Sequence, residues 1–332
     1  MAADVLTPIT QALEEGTLTR KELKNLMQRS DKPALIRLAI WCVLLAITSS
    51  LVWLSLGSWW LLPAMFIQGV VLVHHFSLQH ECCHYTAFKT RWLNDLAGNV
   101  CGLIIMLPNR FFRYEHCDHH TYTQIKEQDT EMIELPANLA GYLFYISSIP
   151  YWKAKFSELW RHSLGRISED DKQFVPRQEY RTIVFEARLM AAFYICLFIL
   201  CIAFQFWYPL WFWFLPVVLG EPVMRAIRMT EHVGRPMISD MKSNTRSNNV
   251  SFPFQFLAWN MNFHAEHHYA SSVPFHALPE LNKKLSNHIY TEPRGYLGAH
   301  IDIVSQLTGR KPRVDSNVPG AYSVRRSQSD TE

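Results

Sequence analysis

Three histidine-rich stretches carry the chemistry legible in this chain. His264, His267 and His268 in NFHAEHH stand at i, i+3 and i+4, and His116, His119 and His120 repeat that spacing in HCDHH. His80 and His84 in HECCH form a two-histidine version at i and i+4. On a helix these offsets bring the rings to one face within a turn, where they can grip a transition metal from one side. With fifteen histidines in 332 residues, two HxxHH boxes and an HxxxH are far more order than chance supplies. His74, His75, His162, His276, His288 and His300, taken singly, read as ordinary structural histidines.

Imidazole serves zinc, copper, iron and nickel, so ligand type alone does not name the metal. Ligand number says more. A catalytic zinc needs three protein ligands and an open position, which leaves five of the eight boxed histidines over, whereas eight or nine neutral nitrogens suffice for two ions. His232, in MTEHVG, is expected as the ninth, because a helix leaving a bilayer would bring it level with the boxes. Glu81, Asp118, Glu231 and Glu266 flank the ligands and are expected to accept their free ring N–H groups, fixing tautomer and basicity. For Glu115 and Asp129 the same role competes with that of solvated surface charges. Asn260 and Asn262 read either as holders of a metal-bound water or as packing residues.

The elements that must position these residues follow from composition. Hydrophobic residues make up 49% and charged ones 18%, a balance typical of membrane proteins. A mean hydropathy near zero (−0.04) implies that only part of the chain lies in lipid. A scattered net charge of +3 gives no footprint for nucleic acid. Seven cysteines without a CxxC pair leave zinc ribbons and thioredoxin-like motifs unsupported. From Leu38 to Val73, and again from Leu189 to Gly220, no side chain is charged. Each run is long enough for two helices of about 20 residues. Gly57-Ser58 followed by Trp59-Trp60, and Trp207 to Trp211, mark the turns and their interfacial aromatic anchors.

The expected fold is therefore an all-α membrane protein: two transmembrane helical hairpins, four spans in all, with a cytoplasmic helical cap carrying the histidine boxes. The segments read as 1–33 cytoplasmic, 34–77 first hairpin, 78–187 cytoplasmic with boxes one and two, 188–226 second hairpin, 227–308 cytoplasmic with His232 and box three, and 309–332 a disordered tail. Arg20, Lys21, Lys24, Arg29, Lys32 and Arg37 crowd the entry to the first hairpin while neither turn holds a Lys or Arg, so both termini are expected in the cytoplasm. Thr19-Arg-Lys-Glu22 has the form of a capping box opening a short helix before the membrane. The apolar segments 96–107 and 139–152 are too short to cross, and residues 161–188 read as a charged surface linker.

So many nitrogens beside a membrane suit the activation of dioxygen for attack on an unactivated C–H bond, with an apolar substrate delivered from the bilayer. With HxxxH, two HxxHH boxes, the EHxG element at His232 and NFHAEHHYASSVPFHALP in view, the chain resembles the integral-membrane fatty acid desaturase and hydroxylase superfamily from the first hairpin to about residue 285. The resemblance implies a non-haem di-iron centre held by His80, His84, His116, His119, His120, His232, His264, His267 and His268. It implies O2 as co-substrate and two external electrons. A histidine, not glutamine, opens the third box, and there is neither an HPGG haem segment nor a dinucleotide GxGxxG, so a separate donor of ferredoxin, rubredoxin or cytochrome b5 type is expected. Fatty acyl desaturation is the leading reaction. Alkane or lipid hydroxylation and carotenoid ketolation or hydroxylation share the same boxes. Two rivals stand outside the superfamily: an HExxH zinc membrane protease using His80, Glu81 and His84, and a histidine-rich metal carrier.

Overall fold

The computed structural model describes residues 8–309. Its helices are, in order, α1 Ile9–Glu14, α2 Arg20–Leu26, α3 Asp31–Ser55, α4 Leu61–Val73, α5 His75–Cys83, α6 Arg91–Ile105, α7 Asn109–Tyr122, α8 Leu139–Ile146, α9 Ile149–Ser163, α10 Asp171–Phe174, α11 Tyr180–Ala203, α12 Leu215–His232, α13 Met241–Asn244, α14 Phe252–Leu257, α15 His264–Tyr269, α16 Leu278–Lys284 and α17 Gly295–Leu307. Two short strands, β1 Ser247–Asn248 and β2 Thr291–Glu292, pair in parallel. The expected tail lies outside the described residues, apart from Gly309.

Among the described residues four helices are long and apolar enough to cross a membrane: Asp31–Ser55, Leu61–Cys83, Arg177–Ala203 and Leu210–His232. The protein is an all-α, multi-pass membrane protein. Leu35, Ile36, Val43 and Ile47 on α3, and Phe185, Leu189, Ile195 and Phe198 on α11, leave their side chains exposed, as lipid-facing residues do. The helices run past the uncharged stretches. The second continues through a bend at His74 to Cys83, and the fourth reaches His232, because backbone bonding persists after the polar side chains begin, where the rest of the protein covers them. Both inner spans thus end in candidate ligands.

These two inner helices touch backbone to backbone. A Cβ on Gly69 of α4 would lie 1.9 Å from the carbonyl oxygen of Pro216, and one on Gly220 of α12 would lie 2.3 Å from the Gly69 carbonyl carbon. Small residues let membrane helices approach this closely. Beside the crossing, Gln68 satisfies its amide within the bundle, donating to Ser49 Oγ at 3.0 Å and Phe212 O at 3.4 Å.

The ends that carry the boxes are sheathed by the remaining helices. The capping box forms at Thr19 and Glu22, yet the N-terminal segment is not a free helix: Ala12, Leu18 and Leu26 are buried with Trp259, Tyr269 and Leu278 in the largest apolar cluster. Residues 161–188 also differ from a surface linker. Asp171 is buried against His162 at 3.0 Å and Arg161 at 2.9 Å, and Val175 and Ile183 pack on Phe111 of α7. Of the two short apolar segments, α6 buries one face through Gly98, Cys101 and Ile105. Helix α8 buries no side chain and leaves Leu139, Leu143 and Phe144 uncovered.

Candidate metal centre

Four elements bring the histidines together. His80 lies on α5 and His84 caps its C-terminus, His116, His119 and His120 lie on α7, His232 ends α12, and His264, His267 and His268 lie on α15. Helix α7 starts after Pro108 without a side-chain cap of its own. Its first N–H groups are met instead by Glu186 of the third span, which accepts from Asn109 N at 2.9 Å and Arg110 N at 2.8 Å. A carboxylate at that end also complements the helix dipole. Helix α15 is shorter than the WNMNFHAEHH stretch. Trp259 and Asn260 turn the chain at φ of 51° and 60°, and the helix begins only at His264. Ser247 of β1 accepts the Ala265 N–H at 3.0 Å and donates to the Glu266 carboxylate, which pins the helix in place.

The nine rings form two groups. His80, His84, His116, His120 and His267 lie in one, and His119, His232, His264 and His268 in the other, each with nitrogens within 4.8 Å of one another. The split runs through both HxxHH boxes. In each box the i and i+4 rings enter one group and the i+3 ring the other, so α7 and α15 both contribute to both. The groups adjoin: His120 stacks on His268 with ring centres 4.0 Å apart.

Facing nitrogens show what the groups are built to hold. His116 Nε2 stands 3.0 Å from His120 Nε2, and His264 Nε2 is 3.1 Å from both His232 Nε2 and His268 Nε2. The Nε2 atoms of His80, His84, His119 and His267 are buried without any protein partner. Unpartnered buried nitrogens of this kind are expensive unless a cation meets them. Burial pushes the imidazoles of His116, His120, His264, His267 and His268 well below their ordinary pKa, and His84 to about 3. Neutral rings with free lone pairs fit transition metals, and two groups fit two ions.

Of the carboxylates weighed from sequence, Asp129 meets a ring directly, and Glu131 joins it. His119 Nδ1 meets Asp129 Oδ1 at 2.6 Å and His116 Nδ1 meets Glu131 Oε1 at 2.7 Å, which leaves the Nε2 of both rings for the interior of their groups. His268 Nδ1 donates to the Thr123 hydroxyl at 3.1 Å. Glu131 and Thr123 carried no sequence signal, because positive-φ residues Gln124 and Glu127 fold the loop back over α7. Glu231 lies 3.7 Å from His264 Nε2, and Glu81 is 3.9 Å from His267 Nδ1 while accepting from Thr86 Oγ1 at 2.7 Å. Glu266 faces Ser247 and Asn282, Asp118 faces Thr130, and Glu115 pairs with Lys155 at 3.6 Å. Asn260 and Asn262 donate to the Phe275 and Asn248 carbonyls, as packing residues do. The single histidines behave as expected: His162 pairs with Asp171, His288 meets Tyr269 and His300 meets Tyr142.

A small cavity touches both groups. His80 and His264 form one side, and Phe76, Met224, Ile227, Ala258 and Met261 supply an apolar wall.

Residues 57–297 match the family described as Fatty acid desaturase. The chain belongs to the fatty acid desaturase family. The sn-1 oleoyl-lipid 12-desaturase of Arthrospira platensis is 22% identical over 273 residues, covering 72% of this chain and 73% of that protein. The enzyme of the same name from Synechocystis is 22% identical over 66% and 67% of the two chains. A shorter stretch, 25% of this chain and 22% of the relative, is 30% identical to the fatty acid conjugase FAC2 B of Calendula officinalis.

Asp129→Asn tests the outer partners of the histidine groups. The amide no longer takes a full charge-assisted bond from His119, and metal affinity should fall about 10–100-fold. Iron retained per chain against a graded chelator measures it, and unchanged retention would remove Asp129 from the site.

Proposed function

We propose that the protein is a di-iron lipid oxidoreductase that desaturates an acyl chain of a membrane lipid, using O2 and two electrons from a separate donor protein. The observation that carries this reading is the pair of adjoining histidine groups at the ends of the inner spans, beside a small cavity lined on one part by Phe76, Met224, Ile227 and Met261 and on another by Arg228 and Glu231. Bound there, iron would supply the oxidant that takes hydrogen from the C–H bond. The chain's own part is to position. The nine histidines hold the ions, Asp129 and Glu131 fix the rings of His119 and His116, and Phe76, Met224, Ile227 and Met261 keep water away from the reacting carbon. The family membership and the names of the relatives support a lipid substrate and desaturation over hydroxylation or ketolation.

The zinc protease reading loses ground on the surroundings of Glu81. Its carboxylate is wholly buried, Oε2 accepts from Thr86 Oγ1 and the Phe275 N–H, and Oε1 lies 3.9 Å from His267 Nδ1, where an outer partner of that ring would stand. In the proposed orientation the basic residues before α3 lie in the cytoplasm. The start of α3 touches the boxed end of the molecule through Asp31 and Thr90 (2.9 Å), which supports a metal centre on the same side as those basic residues.

Expression in a lipid-producing host followed by mass spectrometry of the lipids tests the reaction. Loss of two hydrogens from an acyl chain is the expected product. Gain of one oxygen would make the protein a hydroxylase, conversion of CH2 to C=O a ketolase, and unchanged lipids with a competent donor present would refute the proposal.

A further inference from the structure

A buried chain of charge runs from one histidine group to the other. His116 Nδ1 of the five-histidine group meets Glu131 Oε1 at 2.7 Å, and Glu131 Oε2 meets Arg228 Nη2 at 2.6 Å. Arg228 Nη1 meets Glu231 Oε2 at 2.6 Å, and the same oxygen lies 3.7 Å from His264 Nε2 of the four-histidine group. No side chain in this chain is more than 9% exposed. We propose that Arg228 is a positioning residue that couples the two metal sites, so that filling one favours filling the other. The inference rests on the two-metal reading above and adds to it a communication path.

The physical case begins with the guanidinium. Its two terminal nitrogens each serve one carboxylate, a division of labour that a planar fork allows and a lysine ammonium does not reproduce. Glu131 sets the ring of a ligand in one group, and Glu231 faces a ligand of the other. An ion drawn into either group therefore fixes one arm of the fork, and the shared plane of Arg228 passes that order to the second arm. Phe76 lies under the guanidinium at 5.1 Å and limits its freedom to swing away. A purely structural ion pair in this position would be replaceable by apolar side chains without any change in how the metals bind.

The test is an anaerobic titration of the metal-free, full-length protein in detergent with Fe(II), read as ions bound per chain, with helix content and thermal midpoint checked for each variant. The wild type should take up two ions in one cooperative step. Arg228→Lys should split uptake into two steps differing about tenfold in affinity, the scale of a lost outer partner. Should buried carboxylates without their fork prevent folding, the combined change Glu131→Gln, Arg228→Met and Glu231→Gln removes both charges with their partner and should split the steps likewise. Thr123→Val, which touches His268 and the His119 carbonyl only, should weaken binding and keep a single step. The coupling role is refuted if the wild type fills in two independent steps, if the folded Arg228 variants keep one cooperative step, or if Thr123→Val splits the steps as strongly. Fewer than two ions bound by the wild type would instead refute the two-metal reading, and the coupling with it.

Discussion

On the proposed di-iron reading, His264→Ala should leave one tightly held iron per chain in place of two and lower acyl-chain turnover by more than about a hundredfold. The size follows from where the ring sits. Its Nε2 stands 3.1 Å from both His232 Nε2 and His268 Nε2, at the middle of the four-histidine group, so its loss removes the donor that the other two converge upon. Losing even an outer hydrogen-bond partner of a ligand costs about 10–100-fold, and losing the ligand itself exceeds that. His267→Ala, three residues on, should empty the five-histidine group instead, because its ring enters the other cluster. His300→Ala removes a histidine bonded to Tyr142 outside both groups and should keep both ions and most activity. Iron analysis of the three purified variants, with lipid mass spectrometry, decides the matter. Two irons retained in His264→Ala would remove that ring from the metal site.

The boxes, the four spans and the ninth histidine were legible because each rests on local spacing or on an uninterrupted apolar run. The division of each HxxHH box between two groups was not. Spacing places three rings on one side of a helix, but which ring meets which ion depends on the packing of α7 against α15, elements 150 residues apart. The outer partners were legible only in part for the same reason: Asp129 was a candidate from sequence, and Glu131 was not. Asp118 and Glu266 stand beside ligands in sequence, yet helical geometry turns them toward Thr130 and toward Ser247 and Asn282. Asp129 and Glu131, ten or more residues downstream, reach the rings because the Gln124 and Glu127 backbone reverses the chain. Arg228 drew no reading from the sequence, and only the fold puts Glu131 within its reach. The N-terminal segment hides its burial in a similar way, since Ala12 and Leu18 are covered by residues more than 200 positions away.

Gly69→Leu and Gly220→Leu should each abolish activity although neither residue is near a ligand in sequence. The two inner spans meet at these glycines with no side chain between them: even the first carbon of a side chain would fall 1.9 Å from the Pro216 oxygen in one case and 2.3 Å from the Gly69 backbone in the other. Overpacking in a core usually costs about 1–3 kcal/mol, and here the obstacle is backbone, which cannot rotate aside. The helices must separate. Because α4 continues into the helix that carries His80 and His84, while α12 ends at His232, any separation at the crossing shifts ligands of one group against those of the other. Alanine, the smallest addition, should already lower turnover and weaken iron binding together, with leucine stronger in both. Gly57, whose position in the turn between α3 and α4 leaves open space around it, gives the contrast: with φ of 75° its replacement strains the turn but leaves the crossing intact, so iron content should hold. Iron per chain measured across Gly69→Ala, Gly69→Leu and Gly57→Ala reads the difference, and a leucine variant at position 69 with two irons and normal turnover would show that the ligand ends do not depend on this contact.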